Sequence, residues 1–547
     1  MYISSHLYWT INLTGVYIMN DWMDRCRKYT FVDGKTGFQI NFAGMKFQDS
    51  AVTEMAERFS GVHAEMQKIE KGEIKNPDEN RKVTHFTDRS VYTGSAEFQA
   101  VEEFAQAIRT GAITGSTGRK FEAAYINGIG GSALGPQLLQ MAVNGPYWNE
   151  KSDAARNGNL KIYFLDNTDT AGLADALEVT DLETTLVINI SKSGGTQETK
   201  NNMKACMDKY AAAGLDFAKH ACAITMRESE LDNLARGSKW LKVFEMAESI
   251  GGRTSETSIV GHLPAALAGI DFKALLDGAC HMDALTRNPE LTENPAYMLS
   301  AVWYIAGNGK GDRNMVIVPY SDRLVLMSRY LQQLVMESLG KEKDLDGKPV
   351  HQGLNVFGNK GGTDAHAFIQ QLNDGRDDFF VTFIEILEDA MGAPISKGID
   401  MGDYLHGFMT GLSNALRSKG RQVIELRLNK VDAFNLGMLI ALYERAVAAY
   451  AELIHINAFH QPGVQAYKLA SRSVIDLLTS SEEKLAANVP FSGTSAEFTA
   501  LLGLAPEKEY ELDGILAKLA ANPGKRILPF AITRCWDDKK GWVFSIK

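Results

Sequence analysis

The chain of 547 residues lacks most of the features that mark secreted, membrane and nucleic-acid-binding proteins. Its five cysteines are scattered and form no C-x-x-C pair, so we expect reduced thiols and a cytoplasmic protein. No stretch approaches the roughly 20 uncharged apolar residues that cross a membrane. The net charge of −10 opposes non-specific binding to nucleic acid or to an anionic membrane. An anionic ligand therefore requires a locally basic site.

The first 19 residues are apolar and aromatic, but they lack the basic segment and the small-residue cleavage site of a secretion signal. We expect them to form a short extension. Two alternatives stay open at this stage: Met19 is the true start, or the segment packs as an N-terminal arm.

Hydrophobic periodicity divides the chain into four regions. Residues 1–115 combine amphipathic helical patterns with a polar, strand-poor stretch, which predicts a helical N-terminal arm. Residues 116–295 and 296–480 alternate strand-like runs with segments long enough for helices, which predicts two α/β domains with parallel sheets covered on both faces. Residues 481–547 predict a small appended α/β module of two short helices and a strand pair. The predicted fold class is therefore α/β.

The predicted strands are short apolar runs. In the first α/β region they are AAYINGIG, LKIYFLDN, TLVINIS, ACAITM and LKVFEM, and in the second they are MVIVPYS, LNVFGN, FFVTFIEIL and QVIELRL. One long helix is predicted over DRLVLMSRYLQQLVMESLG, and a second, apolar nearly all round, over LGMLIALYERAVAAYAELIHI. RILPFAI and GWVFSIK are the predicted strands of the C-terminal module.

The segment INISKSGGTQET, which begins at Ile188, is the most informative part of the sequence. An apolar strand ends in a loop of hydroxyls, one lysine and two glycines, and then becomes helix-compatible. Such a loop can direct backbone N–H groups and a helix dipole at an anion, so it predicts a phosphate site. The alternative is a merely hydrophilic surface turn. A second strand–glycine–helix turn in the same sheet argues against that alternative, because both turns would face one crevice.

That second turn is YINGIGGSALGP, which begins at Tyr125. It has the G-x-G-x-x-A spacing of dinucleotide-binding folds, but an acidic residue about 20 positions further on is missing. Asp166, the nearest candidate, lies well beyond that distance. A structural turn and a sugar or phosphate contact through Gly131 and Ser132 are the other interpretations.

Five further residues are uninformative when taken one at a time. Arg253 follows two glycines, Glu337 lies near a predicted helix end, and His366 follows a glycine-rich loop. Gln461 and Lys468 flank a Pro-Gly turn. A glutamate at a helix C-terminus is unfavourable for the dipole, so we expect a compensating group near Glu337.

Taken together, five separated segments change this interpretation. They are GIGGSALGP, SKSGGTQET, GGRTSETS, ESLGK with GNKGGTDAHAF, and NAFHQPGVQAYK. In order and approximate spacing they resemble the phosphoglucose isomerase family, most closely its bacterial branch, from about residue 40 to residue 480. The resemblance implies two sugar-isomerase (SIS) α/β sandwich domains with helical arms. It also implies reversible isomerisation of glucose 6-phosphate to fructose 6-phosphate, by ring opening and enediol proton transfer between C2 and C1.

The resemblance also implies roles for individual residues. The 6-phosphate would be bound by Ser191, Lys192, Ser193 and Thr196. The sugar would be contacted by Gly131, Ser132 and Gln461.

The chemistry would fall to four other residues. By the same resemblance, Arg253 would stabilise developing negative charge, Glu337 would be the base, and His366 and Lys468 would assist ring opening. In this family the histidine comes from the partner subunit, which implies a homodimer. Because neither a hydride nor a metal-bound water is required, we expect no cofactor and no metal.

Three other interpretations compete with this one. A phosphosugar-binding module would keep the phosphate loop but would not need Arg253, Glu337, His366 and Lys468 together. A nicotinamide oxidoreductase would need the dinucleotide site that the second turn fits poorly. A nucleic-acid-binding C-terminal module is disfavoured because its charge is near balance. Side activity on mannose 6-phosphate stays open, because details of the pocket decide the stereochemistry at C2.

Overall fold

The computed structural model describes residues 13–547, with side chains from residue 21 onward apart from 465 and 466. The expectation of a short extension over the first 19 residues therefore falls mainly outside the described residues. Two compact units divide the chain after His460, and each is described by itself. The domain boundaries given above stay predictions.

The first sheet confirms every strand predicted in the first α/β region. Its five strands run parallel in the order Lys161–Leu165, Ala123–Asn127, Thr185–Ile190, Ala221–Thr225 and Lys242–Glu245. The three central strands are buried along their whole length. Neighbouring side chains such as Val187 and Ile188 enter two different hydrophobic clusters, because a strand alternates its side chains between the two faces of the sheet.

The second sheet confirms the four strands predicted in the second region and adds two that were not predicted. Its six strands lie in the order Thr30–Val32, Gln39–Asn41, Gln422–Leu428, Phe379–Ile386, Asn314–Pro319 and Val356–Phe357. The last four are parallel, whereas the first two are antiparallel and come from the region expected to be helical. Each added strand has three residues, too few for a period-2 pattern, and its position depends on the distant pairing of Ile40 with Leu426.

Helices surround these sheets. In the first unit they are Leu13–Lys28, Asp49–Glu70, His85–Tyr92, Ala96–Thr110, Gly131–Leu139, Thr170–Glu178, Gln197–Ala212, Glu230–Gly237, Ile259–Leu267, Phe272–Leu285, Pro295–Ala306, Met327–Leu331, Ile369–Asp374, Met401–Ser418 and Ala433–Leu453. Short strand pairs complete the unit: Ile74–Asn76 with Arg81–Lys82, Lys341–Lys343 with Pro349–Gln352, and Pro394–Ser396 with Ile399–Asp400. The helix predicted to be apolar nearly all round is the buried helix Ala433–Leu453, which confirms that prediction.

The prediction of one long helix before Gly340 is wrong, because the segment is divided into three shorter elements. A 3-10 turn, Asp322–Leu324, precedes the α-helix Met327–Leu331, and the segment Gln332–Glu337 has the wider π-helical hydrogen-bonding pattern. Apolar periodicity does not separate an α-helix from one that contains a wide turn, since the apolar face continues through both. Such wide turns are rare and often occur at functional sites.

The second unit begins with the helix Pro462–Ala487. Two shorter helices, Ser495–Leu501 and Glu509–Ala520, pack with a three-stranded antiparallel sheet in the order Phe491–Gly493, Gly541–Ile546 and Ile532–Asp537. The strand predicted over RILPFAI begins only at its last residue, because proline supplies no N–H to a ladder and Pro529 lies inside the predicted run.

None of the described helices is both long and apolar enough to span a membrane. Within residues 13–547, no group of three or more His, Cys, Asp or Glu side chains is arranged to hold a metal ion. All five cysteines are free. Folding of this chain therefore rests on its apolar cores and hydrogen bonds rather than on covalent cross-links.

A close backbone approach in the core joins the helices Phe272–Leu285 and Ala433–Leu453. A Cβ at Gly437 would lie 1.9 Å from the main-chain oxygen of Leu275, and a Cβ at Gly278 would lie 1.9 Å from that of Phe434. We therefore predict that Gly437→Ala lowers the free energy of unfolding by about 1–3 kcal/mol, because the two helices must separate. Denaturant unfolding measures the change.

Gly61→Ala is the matched control. Gly61 lies inside the helix Asp49–Glu70, and a Cβ there would meet nothing within 4 Å. Alanine at this position should leave stability unchanged or raise it by up to about 1 kcal/mol. Equal losses in the two variants would contradict the proposed helix contact.

Candidate active site

Two glycine-containing turns meet at one edge of the first sheet. The strands Ala123–Asn127 and Thr185–Ile190 are parallel neighbours, so their carboxyl ends lie side by side. The turn after the first strand leads into the helix Gly131–Leu139, and the turn after the second leads into Gln197–Ala212. Two helix N-termini thus face one crevice, which is where open α/β sheets bind anionic ligands.

Hydrogen bonds made by its own hydroxyl groups hold the loop from Ser191 to Thr196 in shape. Buried Ser191 donates its hydroxyl to the hydroxyl oxygen of Thr196 at 3.2 Å, and the hydroxyl oxygen of exposed Ser193 accepts the N–H of Gly195 at 3.2 Å. Gly194 has φ +71°, a conformation that glycine adopts without strain. The side chain of Thr196 does not cap the helix that follows, so the N-terminal N–H groups of that helix are not occupied by it.

Lys192 extends from this loop to the segment that precedes Arg253. Its Nζ donates to the main-chain oxygens of Glu248 at 2.5 Å and Ile250 at 3.0 Å. Burial, helped by the nearby charge of Arg81, lowers the pKa of Lys192 to about 8. The ammonium therefore joins the loop to its neighbour.

The second turn touches the same neighbouring segment. Gly130 has φ +58°, and a Cβ at Gly131 would lie only 1.6 Å from the main-chain oxygen of Gly252. Gly131 must therefore be glycine if the two backbones are to meet. Ser132 follows it in a half-buried position on the first turn of the helix.

Arg253, the next residue after Gly252, is buried beside a carboxylate. Its Nη1 lies 3.4 Å from Oε2 of Glu337, and its Nη2 donates to the main-chain oxygens of Ala458 at 2.6 Å and His460 at 3.4 Å. Burial lowers the pKa of Arg253, and the charge of Glu337 acts in the opposite direction. The guanidinium is thus fixed in one orientation by the backbone and faces one carboxylate.

Glu337 ends the wide turn described above. Its Oε2 accepts a hydrogen bond from the side-chain amide of Gln333 at 3.3 Å. Its main-chain oxygen accepts a hydrogen bond from Nζ of Lys341 at 2.7 Å. The carboxylate is 24% exposed, so it remains open to a ligand. Arg253 and Lys341 supply the compensating charge that is expected near this helix end.

Sequence reasoning missed three residues at this site: Gln333, Lys341 and Arg81. Burial and the nearby charge of Arg253 lower the pKa of Lys341 to about 7. Lys341 ends the quoted segment ESLGK, so its position beside Glu337 was available as a signal. Arg81, which donates to the main-chain oxygens of Ser249 at 3.2 Å and Phe459 at 3.0 Å, lies in a polar stretch without any pattern.

His366 lies apart from Arg253 and Glu337. It is exposed at the end of the 3-10 turn Thr363–His366, above the buried carboxylate of Asp364, which accepts a main-chain N–H of the same loop. Among the described residues, no hydrogen bond or ion pair joins His366 to Arg253 or Glu337. Its side chain is presented to the outside of the subunit.

Gln461 and Lys468 belong to the second unit. Gln461 directly precedes the helix Pro462–Ala487, and Lys468 lies in the second turn of that helix. Both side chains are exposed. Their place in the site stays a prediction.

The fold and the site together define a class of protein. One parallel sheet, a second sheet with four parallel strands, an anion-binding type of loop and a buried arginine facing a carboxylate fit a phosphosugar isomerase. Residues 46–408 match the family model described as phosphoglucose isomerase. The chain is 47% identical over 468 residues to the glucose-6-phosphate isomerase of Trichormus variabilis, a match that covers 83% of this chain and 87% of that relative.

Further similarities extend over more of the chain. The glucose-6-phosphate isomerase of Geobacter sulfurreducens is 44% identical over 515 residues, covering 91% of this chain and 95% of the relative. The crystal structure of a glucose-6-phosphate isomerase from Chlamydia trachomatis superposes with a TM-score of 0.74 at 26% identity, covering 86% of this chain and 96% of that one. The chain belongs to the phosphoglucose isomerase family. This membership confirms the resemblance, the fold class and the enzyme class predicted from the sequence.

The contact between Gly131 and Gly252 generates a prediction. Gly131→Ala should lower kcat/KM of the isomerase at least about 10-fold, because the added methyl group must displace the turn that carries Arg253. Steady-state kinetics measure the loss, and circular dichroism should show the fold unchanged.

Gly172→Ala serves as the control. Gly172 lies in the exposed helix Thr170–Glu178 of the same sheet domain, and a Cβ there meets nothing within 4 Å. It should keep wild-type kinetics. Wild-type kinetics in Gly131→Ala as well would contradict the importance of the glycine contact.

Proposed function

We propose that this enzyme interconverts glucose 6-phosphate and fructose 6-phosphate, with the reacting carbons C1 and C2 between Glu337 and Arg253. The observation that carries the proposal is the 3.4 Å approach of the buried guanidinium to the carboxylate, beside a loop suited to phosphate. The interconversion moves a proton between C1 and C2 through an enediol. It therefore needs one base that can reach either carbon and one fixed positive charge.

The enzyme binds its substrate chiefly through the phosphate group. Ser191, Ser193 and Thr196 surround the uncapped N-terminus of the helix Gln197–Ala212, where hydroxyls, N–H groups and the helix dipole all favour an anion. Lys192 adds a positive charge beside the same loop. Binding energy gained at the phosphate positions carbons that lie remote from it.

The sugar lies between this loop and the arginine turn. Gly131 and Ser132 form the adjacent edge, where the absence of a Cβ at Gly131 lets the backbone of Gly252 approach closely. Gln461 completes the contacts to the sugar. With phosphate and sugar both bound, C1 and C2 face the carboxylate, and such positioning converts the proton transfer into an effectively unimolecular step.

Glu337 is the base and Arg253 stabilises the enediolate. A carboxylate can take the proton from one carbon and return it to the other. A guanidinium fixed by main-chain oxygens needs no reorganisation when negative charge develops, and loss of such a preorganised group typically costs about 10²- to 10³-fold in rate. His366 and Lys468 assist the ring opening that precedes proton transfer.

His366 reaches a site by association of two subunits. The side chain is exposed, and exposed Leu405 lies beside its loop, 4.0 Å from the position of a Cβ at Gly362. We call the exposed apolar side chains of residues 387–408, to which Leu405 belongs, the apolar patch: Leu387, Met391, Ile395, Ile399, Met401, Tyr404, Leu405 and Phe408. Large exposed apolar patches mark interaction surfaces. A homodimer that buries this patch would carry each His366 to the site of its partner.

No cofactor enters this scheme. Moving a proton between neighbouring carbons leaves the sugar without net oxidation, so neither a hydride carrier nor a redox metal is required. We place the enzyme in the cytoplasm, which agrees with free cysteines and with a phosphorylated sugar as substrate.

The assignment of Glu337 as the base generates a prediction. Glu337→Gln should lower kcat at least about 10²-fold, because the amide cannot accept the proton, while binding of the sugar phosphate is retained. A coupled assay with fructose 6-phosphate measures kcat, and calorimetry with a non-isomerisable hexitol 6-phosphate measures binding.

Exposed Glu342, five positions along the chain, provides the control variant Glu342→Gln. It should keep wild-type kcat. Full activity in Glu337→Gln would rule out Glu337 as the base.

The shared site makes a second prediction. His366→Ala and Glu337→Gln should each be nearly inactive alone, but co-refolding them in equal amounts should restore roughly a quarter of wild-type activity. Half of the resulting dimers are then mixed, and each mixed dimer has one site with an intact Glu337 and an intact partner histidine.

The controls are each variant refolded by itself. Size-exclusion chromatography with light scattering reports the oligomeric state of all samples. A mixture that stays as inactive as its components, in dimers, would show that His366 serves its own subunit.

A further inference from the structure

A buried hydrogen bond joins the two segments that carry Arg253 and Glu337. Glu256 follows Arg253 by three residues, and Tyr330 lies in the helix Met327–Leu331, which leads directly into the turn ending at Glu337. The Tyr330 hydroxyl donates to Oε1 of Glu256. Both side chains are at most 2% exposed. The bond therefore links the arginine segment, which follows the first sheet, to the glutamate segment of the second sheet domain.

Two glycines, Gly135 and Gly261, pack closely against Glu256 and fix its position. A Cβ at Gly135 would lie 2.6 Å from Cβ of Glu256, and a Cβ at Gly261 would lie 2.0 Å from its main-chain oxygen. Close packing of this kind leaves the side chain no room to shift. Any movement of Glu256 must move the segment that carries Arg253.

The surroundings of the Glu256 carboxyl favour its neutral form. It adjoins Glu444, whose Oε2 accepts from Arg89 at 2.5 Å. Burial and the neighbouring Glu444 charge raise the pKa of Glu256 well above its usual range. Oε1 of Glu444 has no hydrogen-bond partner in the part of the chain that the structure describes. A proton on Glu256, which the raised pKa favours, would supply that donor and complete a line from Tyr330 through Glu256 and Glu444 to Arg89.

This line ends in a rigid ionic cluster. Arg89 also donates to both carboxylate oxygens of Asp283 at 2.6 Å, and Arg445 donates to the same carboxylate at 2.6 Å. All of these side chains are at most 2% exposed. Bidentate arginine–carboxylate pairs of this kind are strong and directional. Glu256 is thus anchored to the helical core rather than to a mobile surface.

We propose that the Tyr330–Glu256 hydrogen bond positions Arg253 against Glu337, so that Tyr330 and Glu256 are positioning residues for the isomerisation. The inference rests on the roles proposed above for Arg253 and Glu337. The wide turn before Glu337 is not held by the ordinary α-helical pattern, so its placement depends on the groups that anchor the helix before it. Tyr330 is such an anchor.

Kinetics of Tyr330→Phe test the proposal. The substitution keeps the ring and removes only the hydroxyl, so kcat should fall about 10- to 100-fold with little change in KM, because the reacting groups lose alignment while the phosphate site stays intact. Glu256→Ala should lower kcat similarly. The double variant should be no worse than the poorer single variant, since both remove one interaction.

Glu256→Gln separates positioning from charge. Glutamine offers an oxygen to Tyr330 and an N–H to Glu444, as a protonated carboxyl would. It should therefore restore kcat close to that of wild type. A loss in Glu256→Gln as large as in Glu256→Ala would overturn the neutral, positioning role.

Tyr210→Phe is the matched control. Tyr210 is a buried tyrosine whose hydroxyl donates at 2.8 Å to the main-chain oxygen of Thr185, at the end of its strand opposite the phosphate loop. Its loss should lower the melting temperature and leave kcat unchanged. If Tyr330→Phe behaves in the same way, the bond is merely structural and the proposal is wrong.

The experiment also separates this inference from the proposed function. Full activity in Glu337→Gln would overturn the assignment of the base, whatever Tyr330 does. An inactive Glu337→Gln together with wild-type kcat in Tyr330→Phe and Glu256→Ala would overturn only the positioning role. Should Glu256→Ala fail to fold, the comparison of Tyr330→Phe with Glu256→Gln still decides the question.

Discussion

The contact between the backbones of Gly131 and Gly252 is the constraint on which the rest of the site depends. A single methyl group between them would lie 1.6 Å from a main-chain oxygen, so the two turns touch directly. One turn begins the helix beside the phosphate loop, and the other carries Arg253. Their contact makes one pocket from two distant parts of the chain, and it explains why glycine stands where other residues would favour the helix start.

The site also shows how a chain of net charge −10 can receive an anion. Lys341 and Arg253 are buried and Lys192 is half-buried near the two turns, and burial lowers the pKa of each. Main-chain oxygens accept from all three side chains, which offsets part of the cost of burying them. The local field is therefore positive although the molecule as a whole is acidic, and a bound phosphate would relieve the repulsion among the three cations.

Local pattern was sufficient to predict the parallel strands of the two sheets and the loops that follow them, but not the contacts between distant segments. The strand before Ser191 and the loop after it follow from a short apolar run and adjacent glycines. The strand Gln39–Asn41 could not be predicted, because three residues carry no periodicity and the stabilising partner, Gln422–Leu428, is remote in sequence. The division of the helix before Glu337 was not predicted either, because the apolar face continues unchanged through the wide turn. The place of Arg81 in the site could not be predicted either, because Arg81 donates hydrogen bonds to main-chain oxygens that lie far along the chain.

The carboxyl groups behind the site have an electrostatic consequence. Burial and the charge of Glu444 raise the pKa of Glu256, which disfavours a second negative charge on the segment that carries Arg253. Arg89 pairs with Glu444, whereas the guanidinium of Arg253 lies 3.4 Å from the carboxylate of Glu337. The same buried line that fixes distance thus also limits negative charge around the arginine. An enediolate forming between Arg253 and Glu337 would meet one fixed cation and one base, which is the pairing that proton transfer between neighbouring carbons requires.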